Sequence, residues 1–323
     1  MIRSLPSITL LSCLAATSAL ADATDDRIHE LEHLFVNAMV LNGPEVVDCT
    51  LSGGAQSTCF TITVKAEPQD YEPGPWCPTS GSDGPELAGK WFVDGEFVDA
   101  DGAFMASLAD VYDDPKWQMV DPETGEIKVT DTLEQCAAAA RPDVGPEYEN
   151  FCVVCEPSYM DDDAAVTYTI PLEPVAQDSP TPTNQTGSGV AFNGVRLDGP
   201  APVDAILGAY TVAPFDDCGG HVNLHVGYHY HAATDCLETT AQDDGGDAPV
   251  IGIAMDGYDI RAQLGVEDPT LDECNGHDQG EGYHYHAGEE GANLILGCMT
   301  AQAGCVSEEA GATCDASARP PRP

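Results

Sequence analysis

Basic residues are scarce in this 323-residue chain, which has 11 Lys and Arg against 55 Asp and Glu and a formal charge of −44. A field of this sign repels nucleic acid and anionic lipid, so a surface that follows a phosphate backbone is excluded. The same field favours solubility and attracts cations. We interpret the acidity as a solvated surface, and the sequence gives no indication of a protein partner.

The motifs of several large enzyme classes are also missing. The chain has no GxSxG elbow and no P-loop. His29 and His33 lie four residues apart within the segment HELEH and could share a metal, but no third ligand lies near them in the sequence. Its acidic segments, such as Asp99-Ala-Asp101-Gly102, lack the full calcium loop with its terminal glutamate. The sequence therefore assigns no reaction and leaves open whether the protein is an enzyme.

Long apolar segments are absent after the N-terminus. Met1-Ile2-Arg3 precedes an apolar run through Leu20, and Ala19-Leu20-Ala21 is a small-residue cleavage pattern. This layout is typical of a secretory signal peptide and is too short to span a bilayer. It predicts cleavage after Ala21, no membrane insertion, and a periplasmic or secreted protein. A lipoprotein attached through Cys13 is the alternative, which a short apolar core disfavours.

Removal of residues 1–21 leaves twelve cysteines, an even number. In an oxidising compartment this number predicts up to six disulfides. The sole close-spaced pair is Cys152-Val-Val-Cys155, and no second CxxC accompanies it. A thiolate metal site is therefore not predicted, whereas a redox role for this pair and structural disulfides with other cysteines both remain open.

Composition divides the mature chain into two modules of ordinary domain size. Residues 24–42 show helical spacing of apolar side chains before Gly43-Pro44, and Ser52-Gly53-Gly54 indicates a hairpin. The predicted order is a signal peptide (1–21), a disulfide-bearing mixed α/β-rich N-terminal module (22–170), a Pro-rich linker or loop (171–189), a histidine-bearing domain (190–314) and a C-terminal tail (315–323).

The pentapeptide GYHYH occurs twice, at residues 227–231 and 282–286. Two further segments match in the same order: 189–197 with 252–260, and Cys218-Gly-Gly-His221 with Cys274-Asn-Gly-His277. The first pair contains Asn-Gly and Asp-Gly, which favour type I′ hairpin turns. We infer a diverged tandem repeat. The predicted fold is mainly β, with two halves related by a pseudo-twofold axis.

Alternate side chains of a strand share one face, so each GYHYH strand would present its two histidines on one side and its tyrosines on the other. The cysteine of each CxGH motif, once disulfide-bonded, would tether a third histidine beside them. Neutral imidazoles with an open position suit Zn²⁺ or Cu²⁺, and iron is a further candidate. The predicted metal ligands are His221, His229, His231, His277, His284 and His286.

Three functions remain open. The first is an extracytoplasmic copper or zinc carrier or sequestration module. The second is a metal-dependent enzyme, either a ferric oxygenase that uses tyrosine and histidine or a zinc hydrolase with Asp256 or Asp272 as general base. The third is a non-catalytic surface or structural module in which the histidines are hydrogen-bonded core residues.

These motifs resemble the YHYH domain family of secreted or surface proteins. The resemblance rests on FNGV at 192–195, the two CxGH motifs and the two YHYH tetrapeptides, and it covers about residues 188–300. It implies the domain type without implying a reaction.

Repeat logic and local spacing also predict the disulfides. Each YHYH motif would be enclosed by its own bridge, and two further bridges would be local. The predicted pairs are Cys218–Cys236, Cys274–Cys298, Cys49–Cys59 and Cys305–Cys314.

Overall fold

The computed structural model describes residues 14–141, 143–161, 163–183, 187–238, 242, 245–264, 270–280, 282–308, 311–312 and 314–318. The fold is mainly β, as predicted. Five α-helices are α1 (Leu14–Leu34), α2 (Gly102–Val111), α3 (Leu133–Ala139), α4 (Val203–Gly208) and α5 (Asp235–Glu238) within these residues. No described helix is long and apolar enough to cross a membrane.

The largest sheet has eight strands and carries both YHYH motifs. Its strands are β9 (Gly189–Ala191), β10 (Arg196–Leu197), β12 (Gly220–Asn223), β13 (Gly227–Tyr230), β14 (Val250–Ala254), β15 (Asp259–Arg261), β16 (Gly276–Asp278) and β17 (Tyr283–His286).

The order of these strands is β12-β13-β10-β9-β14-β15-β17-β16. Outward from the central antiparallel pair β9 and β14, each half shows an antiparallel, then a parallel, then an antiparallel neighbour. The two halves thus have equivalent topologies. This order favours the tandem duplication inferred from the sequence, which stays a prediction.

A four-stranded sheet of β1 (Val40–Thr50), β2 (Gln56–Lys65), β7 (Ala165–Pro171) and β19 (Cys305–Ser307) packs against the large sheet. Phe60 and Tyr168 from this sheet share one buried cluster with Val190 and Ile253 at the centre of the other. Leu31 of α1 is fully buried in the same cluster. Burial of such side chains stabilises the fold by roughly 1.5–3 kcal/mol each. Packing between the sheets therefore fixes the frame on which both YHYH strands lie.

The remaining strands form three smaller sheets. They are a three-stranded sheet and two antiparallel pairs: β5 (Lys128–Val129), β6 (Phe151–Cys152) and β11 (Thr211–Val212); β3 (Lys90–Val93) with β4 (Glu96–Asp99); and β8 (Ala176–Pro182) with β18 (Cys298–Ala301).

The N-terminal helix ends earlier than its apolar spacing predicts. Helix α1 stops at Leu34, a 3₁₀ turn covers Phe35–Asn37, and β1 begins at Val40. Gly43-Pro44 therefore does not end a helix but lies at a register shift within β1. The prediction of a helix to residue 42 was wrong because strand pairing with β2 outweighed a local helical pattern.

Both predicted Asn-Gly and Asp-Gly hairpins are present, but their turns differ from type I′. Gly194 and Gly257 adopt positive φ, whereas Asn193 and Asp256 do not. A type I′ turn requires positive φ at both central residues. The single glycine in the left-handed region is typical of the three-residue hairpin loop instead.

Part of the predicted linker is a strand. Within 171–189, β8 pairs with β18 in an antiparallel manner. Residues 184–186 of this segment lie outside the described residues. The division of the chain into two modules stays a prediction.

All four predicted disulfides are confirmed, namely Cys49–Cys59, Cys218–Cys236, Cys274–Cys298 and Cys305–Cys314. The two cysteines of the CxxC pair form separate bridges, Cys77–Cys152 and Cys136–Cys155. Of the two alternatives for this pair, the structural one is therefore confirmed.

Candidate metal centres

The first histidine cluster consists of His221, His229 and His231. His221 on β12 lies directly opposite His229 on β13 in the antiparallel register. The ring centroids are 4.8 Å apart for His221 and His229, and 5.1 Å apart for His221 and His231. One ring nitrogen from each residue lies within 4.8 Å of the other two. The structure thus brings together the three residues that the first repeat predicts.

The second histidine cluster consists of His277, His284 and His286. His277 on β16 pairs with His284 on β17, as in the first repeat. The Nε2 atom of His277 lies 3.1 Å from Nε2 of His284 and 3.2 Å from Nε2 of His286. Three nitrogens of the same kind therefore converge on one point.

A shared turn geometry places the first histidine of each cluster. The Asp216 carboxylate accepts hydrogen bonds from the N–H groups of Cys218 and Gly220, each at 3.1 Å. Gly219 between them adopts φ +81°, which a glycine tolerates without strain. The N–H of His231 donates to the Gly219 carbonyl at 2.9 Å, so the turn is joined to the GYHYH strand.

The second repeat uses the same bonds. The Asp272 carboxylate accepts from Cys274 N–H at 2.8 Å and Gly276 N–H at 3.0 Å. Asn275 takes the left-handed position with φ +60°, which asparagine tolerates better than most residues. The aspartate that precedes each CxGH motif is thus the residue that sets the turn.

Backbone carbonyls orient four of the rings. Nδ1 of His231 lies 2.7 Å from the Gly199 carbonyl, and Nδ1 of His286 lies 3.0 Å from that of Ala262. A carbonyl oxygen only accepts, so these Nδ1 atoms carry the proton and Nε2 keeps its lone pair. His229 and His284 make the equivalent bonds to Gly227 and Gly282. This outer hydrogen bond is the usual means by which a protein orients a histidine ligand.

Burial keeps the rings of the first cluster neutral. It lowers the pKa of His221 and of His229 well below the usual value, and it lowers the pKa of His231 as well. In the second cluster burial lowers the pKa of His286. Neutral imidazole is the form that binds metal.

Asp247 joins the second cluster and was missed by sequence reasoning. Its carboxylate oxygens lie 2.8 Å, 3.5 Å and 3.2 Å from Nε2 of His277, His284 and His286, respectively. Burial opposes ionisation of Asp247, but its hydrogen bond with His277 and the neighbouring imidazoles hold the pKa of its carboxyl below the usual value. Asp247 belongs to the acidic stretch DDGGD at 243–247, which has the composition of a solvated loop.

The carboxylate near the first cluster is placed differently. Asp198 lies 3.9 Å from Nε2 of His229 and forms an ion pair with the buried Arg196 at 3.1 Å. In the second cluster Arg261 lies 3.8 Å from Asp247. In the described part of the chain, each cluster therefore has one carboxylate and one guanidinium nearby, and the carboxylate contacts all three rings in the second cluster.

The tyrosines of the two YHYH motifs face away from the histidines, as strand alternation predicts. Tyr228 donates to Asp216 and Tyr283 donates to Asp272, both at 2.8 Å. Tyr285 donates to the buried Asp256 at 2.6 Å.

These bonds bear on the enzyme alternatives. Tyrosine ligation of an ion held by the histidines is not supported, because Tyr228 and Tyr283 already donate to carboxylates on the opposite face. Asp256 and Asp272 accept hydrogen bonds from Tyr285 and Tyr283 on that same face, so these contacts do not support either carboxylate as a general base beside the metal.

The two clusters are separate. Strands β13 and β17 are five strand spacings apart in the sheet, which is about 24 Å. The sheet order therefore separates the six histidines into two clusters rather than bringing them to one shared site. His225 lies exposed in the turn between β12 and β13, and His29 and His33 lie exposed on α1.

The donor geometry fits a metal ion. Tetrahedral Zn²⁺ with N ligands at about 2.05 Å requires N···N distances of about 3.3 Å. The Nε2 separations of 3.1 Å and 3.2 Å in the second cluster lie close to this value. Both clusters can therefore hold a metal, the first with three nitrogens and the second with a carboxylate as well.

Comparison with known proteins agrees with the domain type. A family model described as YHYH protein matches residues 167–270, so the resemblance is confirmed and a YHYH domain is present. The matched range includes the first GYHYH and ends before the second. No curated protein and no solved structure matches the chain.

Proposed function

We propose that this YHYH domain binds transition-metal ions, Cu²⁺ or Zn²⁺, at two separate centres. The ligands are His221, His229 and His231 in one centre, and His277, His284 and His286 in the other. The protein then serves as an extracytoplasmic metal carrier or sequestration module.

The observation that carries the proposal is the convergence of Nε2 atoms. In the second cluster, His277 has two imidazole Nε2 atoms within 3.2 Å, and His286 uses its Nδ1 proton on a backbone carbonyl. Nε2 lone pairs that point at one another repel, so each such contact requires either a proton on one of the two nitrogens or a cation between them. A divalent ion satisfies all of them at once, and imidazole is a preferred ligand of Zn²⁺ and Cu²⁺.

Charge supports the same function. The chain has a formal charge of −44, which raises the local concentration of divalent cations. Twelve cysteines are paired in disulfides, which fits an oxidising compartment outside the cytoplasm.

Elemental analysis of protein purified without chelators or a His tag tests the proposal. The full chain is expected to bind two equivalents of Zn²⁺ or Cu²⁺. The double variant His229→Ala/His231→Ala should retain one equivalent, and so should His284→Ala/His286→Ala. His29→Ala is the control and should retain both.

A folded wild-type protein that binds no Cu²⁺, Zn²⁺ or iron at micromolar concentration would contradict the proposal. The histidines would then be a hydrogen-bonded scaffold, which is the third of the open functions.

A further inference from the structure

We infer that the two centres differ in coordination. Asp247 completes the second centre with a fourth protein ligand, whereas the first centre keeps a position for a small ligand from outside the protein. This inference rests on the proposed metal binding and goes beyond it, because it assigns an exogenous ligand to one centre alone.

The contacts of Asp247 carry the first half of the inference. Its carboxylate lies within 3.5 Å of Nε2 of each of the three histidines. The residue as a whole is exposed to solvent, whereas its side chain, which faces the three rings, is only 21% exposed. A carboxylate in that position becomes a ligand when an ion enters, and three imidazoles with one carboxylate make a closed tetrahedral set.

The contacts of Asp198 carry the second half. One of its carboxylate oxygens, Oδ1, accepts a hydrogen bond from the Arg196 guanidinium at 3.1 Å and another from the Gly199 N–H at 2.8 Å. The other, Oδ2, is 3.9 Å from the nearest ligand nitrogen, on His229. Asp198 is thus held back by its own partners, and it lies beside the first centre without closing it.

Net charge does not explain the difference. Among the residues that the structure describes, each centre has three histidines, one aspartate and one arginine in its immediate surroundings. The loaded centres would carry the same formal charge, so the position of the carboxylate decides between four protein ligands and three.

The sheet shows how the difference arises. Leu197 pairs with Tyr230, and Ile260 pairs with Tyr285, in equivalent parallel registers. The next residue is Asp198 in the first half and Arg261 in the second. The two halves therefore have opposite charges at one position. In the second half the carboxylate comes instead from the segment before β14, which brings Asp247 over the rings.

The surroundings of the first centre limit the size of an external ligand. The Phe215 ring packs against His221 and His231, with centroids 4.7 Å and 5.3 Å apart. Trp91 stacks on Phe215 at 5.9 Å and is fully buried. This rigid apolar wall favours a small ligand such as water or a triatomic anion over an organic side chain.

Azide binding to the Co²⁺-loaded wild-type protein tests the inference. Co²⁺ takes zinc-type sites, and its visible spectrum changes when a ligand is added or exchanged. A protein that holds two Co²⁺ ions is expected to bind one azide per chain. In single-centre variants, azide should change the spectrum of His284→Gln, which retains the first centre, and should leave that of His229→Gln unchanged.

A matched pair of aspartate variants gives a second measurement. In the His229→Gln background, Asp247→Asn should weaken Co²⁺ binding by at least about tenfold, because it removes an anionic ligand. In the His284→Gln background, Asp198→Asn should change Co²⁺ affinity by less than about threefold.

The outcomes separate the two proposals. Absence of Co²⁺, Zn²⁺ and Cu²⁺ from the folded wild-type protein would overturn the proposed function itself. Two bound Co²⁺ ions with two azides or none, or an Asp247→Asn variant with unchanged affinity, would overturn only the difference in coordination.

Discussion

The hydroxyl of Tyr228 lies 2.8 Å from both carboxylate oxygens of Asp216, on the face of β13 opposite His229. The same carboxylate accepts hydrogen bonds from the Cys218 and Gly220 N–H groups, in the turn that precedes His221. The tyrosine of the motif therefore fixes the turn, and the turn sets a histidine against the other two. Tyr283 and Asp272 repeat this relationship in the second half.

Replacement of Tyr228 by phenylalanine should lower stability and leave metal content unchanged. The variant removes a donor from a buried carboxylate, which costs about 1–3 kcal/mol. We expect two equivalents of metal to remain, because Tyr228 is not a ligand. Urea unfolding and elemental analysis measure the two quantities. Tyr210→Phe is the control. Tyr210 donates a hydrogen bond to Asp114 in a part-buried pair, so this variant should be destabilised less than Tyr228→Phe. Loss of metal from Tyr228→Phe would instead favour tyrosine ligation.

Asp216 should make a stability contribution that weakens as pH rises. Burial raises the pKa of Asp216 to about 6, above an ordinary value of 3.8, even though several N–H groups donate to it. The folded state then binds more protons than the unfolded state between these values. The contribution is complete below about pH 4 and is lost as pH rises through about 6, by roughly 3 kcal/mol in total.

The unfolding free energy of the wild-type protein relative to Asp216→Asn measures this contribution, because the other titrating groups cancel. The difference should fall between pH 4 and pH 6. Asp217→Asn is the matched control for a neighbouring carboxylate whose side chain is 69% exposed. A difference that grows with pH would contradict the assignment.

Metal should leave the first centre at a lower pH than free imidazole would suggest. Burial lowers the pKa of His221 and of His229, so protons compete poorly with the ion. Binding is complete above the folded-state pKa values and is lost as pH falls through them, which places release below about pH 6. The pH of release is measured as Zn²⁺ retention between pH 7 and pH 4 in His284→Ala/His286→Ala, which keeps only the first centre. Loss of half of the Zn²⁺ at or above pH 6.5 would contradict this prediction.

The bridge between Cys274 and Cys298 should support the second centre specifically. It closes a loop with a sequence separation of 24 residues that contains all three histidines of that centre. Replacing both cysteines by alanine should lower stability by about 2–4 kcal/mol and weaken one of the two metal sites. Cys305→Ala/Cys314→Ala, whose separation is 9 residues, is the control and should retain both sites. Denaturant unfolding and metal titration report the result.

The mature chain should begin at Asp22. Helix α1 runs from Leu14 across this position to Leu34, and its fully buried Leu31 lies well beyond the predicted cut. Cleavage therefore preserves the contact of Leu31 with the core. Intact mass of the exported protein checks the processing, and a lipid retained on Cys13 would contradict it.

Much of each centre was predictable because it depends on short-range geometry. Strand alternation alone puts His229 and His231 on one side and Tyr228 and Tyr230 on the other. The CxGH turn adds His221 from within the same hairpin, where β12 and β13 are consecutive in the chain. The same locality made Cys218–Cys236 predictable.

Three features were not predictable, and each depends on segments that are remote in sequence. The end of α1 was set by pairing of β1 with β2, which outweighed the helical pattern. The Cys77–Cys152 bridge joins residues 75 apart, and no repeat indicated it. Asp247 lies 30 residues from His277, in an acidic stretch with the composition of ordinary solvated surface.

The sequence by itself determined the mainly β character, the two sets of three histidines and the within-repeat bridges, because period-two alternation and hairpin closure follow from bonds between near neighbours. Only the tertiary structure decided that the sets form two centres about 24 Å apart, since sheet order depends on which strands pair. The packing of the segment before β14 likewise decided that Asp247 reaches all three rings of one centre. The contacts of Asp198 with Arg196 and the Gly199 N–H hold that carboxylate back from the rings of the other centre.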